Sequence, residues 1–436
     1  MARSPRKFSK GDPGKGRTML LCGIVDELSK SIPLSFFFCQ ATDSSINNAT
    51  AVLRGLIYLL VDQQAHLLSH VRSKYDRADE TVFKDANAWD TLLEIFTNIL
   101  QDPSLKTTYL VIDALDECVT GLPELLGLIA PKSSVSPHVK WIVSSRNWPQ
   151  IEERLETAAE KTRLSLEMNA ESITTAVEAY FRHQALYLKR LKGYDRPTEN
   201  AIQKYLSSNA NGTFLWVALV CQALAGLKVR TRHILAKLRT FPPGLDSLYT
   251  QMMEHIHGSE DADRCRHILA VATIVRRPIS LQELISLVKV LDDICDDLES
   301  LGEIIGLGSF LTLRERTVYF VHQSAKDYLL RKGSDKTSNE PSRKAFNWVF
   351  PSGVEEVNCS IFSRSLDIMS STLRRDVYNL SAPGFPIENV RVPDPDPLSI
   401  ARYSCVYRVD HLYNSVSGKS TIQVTPGDCR TIDAFL

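Results

Sequence analysis

Two periodicities alternate along the first third of the chain. Ile32–Gln40 (IPLSFFFCQ) is an almost unbroken apolar run of strand length, as expected where both faces of a sheet are covered. Asn47 and Asn48 follow as helix caps, and Val52, Leu53, Leu56, Ile57, Leu60 and Val61 then recur at helical spacing. Thr107–Cys118 (TTYLVIDALDEC) predicts a second buried strand, ending in acids. His138–Pro149 (HVKWIVSSRNWP) predicts a third, ending in Ser144, Ser145 and Arg146, and Thr162–Met168 a short fourth. Strands that alternate with helices predict an α/β fold with a parallel sheet between two helical layers. Ligands of such sheets bind beyond the carboxyl ends of the strands, where the acids and Arg146 both lie.

Helical patterns fill most of Glu171–Met253, with a break at Pro242, Pro243 and Gly244. Ser280 and Glu283 stand at capping-box spacing and predict a helix start. The stretch FLTLRERTVYFVH reads as two short strands turning at Glu315 and Arg316, after which QSAKDYLLRK returns to helix. Three helices and a hairpin predict a winged-helix-like domain. Arg331–Lys344 has linker composition, and FNWVFPSGVEEVNCSIFSRSLDIM predicts further packed helix. After about Ser381 the chain is rich in proline and short on periodicity, so no element is assigned there. The layout is an α/β domain over 1–168, a helical domain over 169–258, a winged-helix-like domain over 259–332 and a C-terminal helical region with an irregular tail over 333–436.

Composition narrows the function classes. Lys plus Arg and Asp plus Glu both number 51, so no global field favours nucleic acid or an anionic membrane. Where a DNA-reading winged helix would place basic residues, the segment before the hairpin carries Asp292, Asp293, Asp296, Asp297, Glu299 and Glu303. Such a face repels phosphates and argues against nucleic acid as a partner. The nine cysteines are scattered without a C-x-x-C pair, which suits a reducing, cytoplasmic location. MARSPRKFSK lacks the apolar core of a secretory signal, and the longest apolar run, Thr213–Leu227, is shorter than the ~20 residues of a membrane helix. His255, His257, Cys265 and His267 crowd together in sequence, but helical geometry points them apart, so no zinc site is assigned.

The candidate chemistry starts at GDPGKGRT. Gly11, Gly16 and Thr18 meet the phosphate-loop pattern G-x-x-x-x-G-K-[ST], while Arg17 stands where lysine is required. In such a loop Gly11, Asp12, Pro13, Gly14, Lys15 and Gly16 wrap a phosphate at the positive end of a helix, with every backbone N–H but that of Pro13, which has none, free to point at it. Thr18 would offer its hydroxyl to Mg²⁺ and Asp113 its carboxylate, directly or through water. Asp116 and Glu117 follow at a spacing that suits a water attacking the terminal phosphate, and Arg146 would sense charge there. The competing explanation of D-x-x-D-E after a strand is a cap on the next helix.

Four stretches, GDPGKGRTMLLCGIVDEL, YLVIDALDEC, WIVSSRNWPQIEERL and VYFVHQSAKDYLL, closely resemble the NACHT-domain proteins of filamentous fungi, signal-transducing NTPases linked to heterokaryon incompatibility. The resemblance runs from about Gly11 to beyond Leu330. It implies an α/β NTPase domain, a helical domain and a winged-helix domain that close over ADP or GDP and open on exchange for ATP or GTP with Mg²⁺. It further implies a switch with slow hydrolysis at most, whose partners are other signalling proteins or further copies of itself. In the family a histidine of the winged-helix domain reaches the diphosphate, and His322 matches that position. Judged without the family, His322 is a half-buried, hydrogen-bonded histidine at a strand end. Effector and repeat domains that flank the core in the family are not evident, which implies a core shortened at both ends.

Two departures set the expectation for activity. The planar guanidinium of Arg17 cannot enter a lysine-sized slot in the same way as an ammonium, and Lys15 lacks the following serine or threonine. The residues before the loop offer only Phe8 as a large apolar side chain and include Pro5, so the strand that should carry the loop is expected to be missing. The rival expectation is therefore a nucleotide-free interaction scaffold or a degenerate remnant.

Overall fold

The computed structural model describes residues 6–10, 16–78, 83, 88–130, 138–146, 149–156, 161–165, 170–226, 229–294, 297–307, 309–331, 340–380, 384–386 and 389–416. The chain divides into two compact units, Met1–Leu245 and Asp246–Leu436.

The first unit contains five parallel strands, β1 (Arg6–Lys10), β2 (Leu34–Phe38), β3 (Thr108–Asp113), β4 (Val139–Ser145) and β5 (Lys161–Ser165), in the order β2-β3-β4-β1-β5. Around them lie α1 (Arg17–Leu28), α2 (Ala49–Gln63), α3 (Leu68–Ala78), α4 (Ala88–Gln101), α5 (Leu122–Ile129) and α6 (Pro149–Glu156). The apolar run of β3 is divided between two faces by the pleat. Leu110 and Ile112 join the larger cluster with Leu53, Leu56, Ile95, Phe96 and Leu125, while Val111 packs with Leu21, Leu34 and Ile142 under α1. The Asn48 side chain caps α2 by accepting from Ala51 N at 2.8 Å. Ser35, a polar break in β2, is fully buried because its hydroxyl donates to Leu56 O at 2.8 Å.

The expected loss of the first strand is overturned. β1 is present and pairs on both sides, from Lys7↔Ile142 to Lys10↔Ser145 with β4 and from Arg6↔Lys161 to Lys10↔Ser165 with β5. The physical reason is that ladder bonds come from the main chain, so a polar pentapeptide supplies the same donors and acceptors as an apolar one. Pro5, which has no N–H, falls just before the strand and interrupts no rung described.

Helices complete this unit: α7 (Ala170–Lys192), α8 (Arg196–Asn209), α9 (Phe214–Ala225) and the short α10 (Ile234–Leu238). Trp216 anchors α9, fully buried with its indole N–H donating to Pro242 O at 2.9 Å.

The second unit contains α11 (Leu245–His257), α12 (Ala262–Ile274), β6 (Ile279–Ser280), α13 (Leu281–Leu287), α14 (Leu298–Gly306), β7 (Leu311–Arg314), β8 (Thr317–Phe320), α15 (Gln323–Leu330), α16 (Glu340–Val349), α17 (Val354–Thr372) and α18 (Arg402–Val416). β7 and β8 form the anticipated hairpin, with Glu315 and Arg316 at φ 48° and 60° as its two-residue turn, and β6 completes an antiparallel sheet ordered β6-β8-β7. Ser280 and Glu283 form the capping box.

α18 is an element that the sequence did not reveal. His411 on its inner face is 0% exposed. Its Nδ1 faces Asn358 Oδ1 at 2.8 Å and its Nε2 faces the Tyr403 hydroxyl at 2.7 Å. Asn358 spends its amide N–H on Val354 O at 2.9 Å, so His411 donates from Nδ1 and accepts at Nε2. Burial, and then Arg276, hold the imidazole pKa down at about 4. Glu283 ties the same region together, taking two bonds from Arg277 at 2.6 and 3.0 Å and one from Tyr403 N at 3.1 Å.

Candidate functional site

At the carboxyl edge of the five-stranded sheet, β1 leads toward α1, and the ends of β3 and β4 lie side by side. Gly16 caps α1 in the left-handed conformation, φ 76° and ψ 25°, and Leu20 N donates to its carbonyl at 2.9 Å. The first N–H groups of α1 have no carbonyl one turn earlier to bond, and a left-handed residue followed by right-handed ones makes an anion-binding concavity. Gly11, Asp12, Pro13, Gly14 and Lys15 lie outside the described residues.

Arg17, the first residue of α1, turns its guanidinium into the site. Its Nη1 is buried and has no hydrogen-bond partner among the described residues. Burial lowers the Arg17 pKa from its ordinary value; Asp116 opposes this, Arg146 reinforces it, and Asp113 and Glu117 oppose it. The five charged groups singled out in the sequence therefore act on one another. Thr18, the next residue, is exposed.

Asp113 closes β3 at 3% exposure. The Ser144 hydroxyl donates to its Oδ1 and itself accepts from Ala114 N at 2.9 Å. Ala114 is left-handed, φ 52° and ψ 50°, and turns the chain into the short helical turn that carries Asp116 and Glu117. Asp116 is 6% exposed and both its oxygens engage Arg146: Oδ1 accepts from the backbone N at 2.7 Å, and Oδ2 pairs with Nε at 3.1 Å. Glu117 Oε2 accepts from Ala41 N at 3.1 Å, and its Oε1 lies 3.9 Å from Arg146 Nη2. The acids do not cap α5, whose N-cap is Gly121.

His322 belongs to the second unit. It caps α15, its Nδ1 accepting from Ser324 N at 3.1 Å and facing Ser324 Oγ at 2.8 Å. Two further residues belong to the edge of the sheet. Ser144 fixes Asp113, as described, and Ser145, 7% exposed beside Lys10, has an Oγ with no partner among the described residues. The two serines were visible as polar residues ending an apolar run, but their roles depend on which neighbouring strand each one faces.

A buried guanidinium nitrogen at the start of α1 and a buried hydroxyl at the end of β4, both without a partner among the described residues, fit an anion. Asp113, a buried acid at a strand end, and Thr18, a hydroxyl at the second position of α1, fit the oxygen donors that a hard divalent cation takes. No helix among the described residues is long and apolar enough to cross a membrane.

Strand order and edge together define the chain's α/β part as a phosphate-loop NTPase fold. Residues 3–146 match the family described as Nephrocystin 3, N-terminal. The chain is 65% identical over 415 residues to the vegetative incompatibility protein HET-E-1 of Podospora anserina, a match covering 94% of this chain and 31% of that protein. The resemblance to fungal NACHT-domain proteins is thereby borne out. The chain spans about a third of the length of this relative. Among solved structures it is similar at 12% identity to Drosophila ORC bound to DNA, with TM-score 0.32 and coverage of 72% of this chain and 82% of that one. It is also similar at 12% identity to Cdc6p of Pyrobaculum aerophilum, with TM-score 0.31 and coverage of 80% and 89%.

Proposed function

We propose that this chain is the nucleotide-dependent core of a fungal incompatibility-type signalling switch, binding ATP or GTP with Mg²⁺ and hydrolysing it slowly. The observation that supports this is Arg17 at the start of α1, its Nη1 buried without a partner among the described residues and its charge acted on by Asp116, Arg146, Asp113 and Glu117. A buried charge with an unmade bond is costly, and a phosphate oxygen is the acceptor that this chemistry lacks.

In this proposal the loop Gly11–Gly16 and the first amides of α1 hold the phosphates, and Arg17 forks onto their oxygens. Thr18 and Asp113 hold the magnesium ion, which neutralises phosphate charge. Asp116 and Glu117 orient the attacking water once Arg146 turns to the terminal phosphate. The Arg146–Asp116 pair keeps those acids engaged in the meantime. His322 meets the diphosphate of an ADP- or GDP-bound resting state. The α/β, helical and winged-helix-like domains over 1–168, 169–258 and 259–332 are the moving parts, and 333–436 supports the last of them. The setting proposed is cytoplasmic, the partners are signalling proteins or further copies of this chain, and the acidic face before β7 disfavours nucleic acid.

The rival, a nucleotide-free scaffold, draws on the same ion pair, because acids held by Arg146 need no ligand. Titration of the folded chain with fluorescent ADP and ATP, with and without Mg²⁺, separates the two. Saturable binding that weakens in Arg17→Met is expected. A folded wild type that fails to bind would leave the scaffold, and binding regained in Arg17→Lys would trace the loss to that residue.

A further inference from the structure

Phe214 is the first residue of α9, far from the phosphate loop in sequence and apolar, and nothing in its spacing links it to the site. Yet a Cβ placed on Gly16 would meet its ring at 2.8 Å from Cδ2 and 2.9 Å from Cε2. Gly16 is therefore constrained twice: its φ of 76° disfavours any side chain, and the ring fills the space that a side chain would take. The ring is backed by one neighbour, and the chain that carries it is itself fixed. Tyr180 of α7 packs against it with centroids 5.5 Å apart. Two left-handed residues, Asn211 and Gly212, turn the chain into α9, and the buried Trp216 pins its first turn to Pro242.

We infer that Phe214 is a positioning residue for the phosphate loop: its ring, backed by Tyr180, braces Gly16 in the left-handed conformation on which α1 and its anion-binding amides begin. The ligand class is the phosphate chain of a nucleoside di- or triphosphate, and in that respect the inference rests on the proposed function. A brace of this kind adds no contact with the ligand. It lowers the ordering cost of binding, because the loop's last residue is already in place. It also couples Gly16 mechanically to the α7–α9 helices, so displacement of Gly16 is felt at α9.

The test uses the full chain and reads two quantities. Hydrogen exchange without nucleotide is followed at Leu20, whose N–H bonds Gly16 O, and at the core strand β3 as a control. Binding of fluorescent ADP is measured in parallel. Phe214→Ala is expected to speed exchange at Leu20 roughly tenfold with β3 unchanged, and to weaken ADP binding by about the same factor; Phe214→Tyr, which keeps the ring, retains both. Gly16→Ala is expected to lose binding, and adding Phe214→Ala to it recovers part of that loss, since the ring then no longer occupies the Cβ space. Unchanged exchange at Leu20, exchange that rises equally at β3, or strictly additive losses in the double variant would overturn the inference. Wild type that binds no ADP would instead overturn the proposed function, and the exchange measurements would still decide whether Phe214 braces the loop.

Discussion

Replacing Arg17 with methionine sets stability against function at a single side chain. Its Nη1 is buried and has no partner among the described residues. Burial is the largest influence on its charge and outweighs the attraction of Asp116, Asp113 and Glu117, since the net pKa shift is downward. An unmade bond of a buried donor costs ~1–3 kcal/mol, and methionine fills similar volume without that cost. Part of the gain is given back, because the acids lose a neighbouring cation, so a net stabilisation of ~1 kcal/mol is expected for the ligand-free chain. For a unit of this size that corresponds to a rise in thermal midpoint of about 2–4 °C. Tryptophan fluorescence suits the assay: Trp89, Trp141, Trp148 and Trp216 fall in the first unit and only Trp348 in the second. The same variant should bind ADP and ATP much less well. A lowered midpoint would refute the reasoning, for it would mean that Arg17 serves the folded state as a counter-ion to the acids. An unchanged affinity would remove Arg17 from the phosphate site.

Other perturbations follow from the same geometry. Ser144→Ala removes both the donor to Asp113 and the acceptor for Ala114 N, and thermal denaturation should show a loss of ~1–3 kcal/mol. Arg146→Gln removes the paired cation of the buried Asp116 and leaves only the neighbouring Arg17, and chemical denaturation of the first unit should show a loss of up to ~3 kcal/mol. In the second unit, His411 is neutral when folded, with its pKa lowered from 6.5 to about 4. Because the unfolded chain takes up the proton first, stability should fall as pH drops from about 6.5 to about 4, by roughly 3 kcal/mol in total. His411→Gln should flatten that part of the pH profile, and an unaltered slope in denaturant titrations would place the dependence elsewhere.

The chain's own pattern determined four of its five parallel strands, the α2 cap, the Ser280–Glu283 box and the turn at Glu315 and Arg316. Each rests on interactions within a few residues or on the apolar content of one segment. The acids after β3 and Arg146 after β4 were likewise legible, because a strand's carboxyl end fixes where the next residues emerge. Tertiary structure decided the rest. β1 carries too little apolar surface to announce itself, and its order comes from main-chain rungs supplied by β4 and β5 on either side. α18 hides its periodicity because its inner face is held by Tyr403 and His411 rather than by an aliphatic stripe. The contact of Phe214 with Gly16 joins residues that no local pattern couples. Sequence thus fixed which chemistry lies at the edge of the sheet. The commitment of Asp116 to Arg146, and of Asp113 to Ser144, required strands distant in sequence to be set side by side, since hydrogen bonds depend on ångström-scale placement that composition and spacing do not encode.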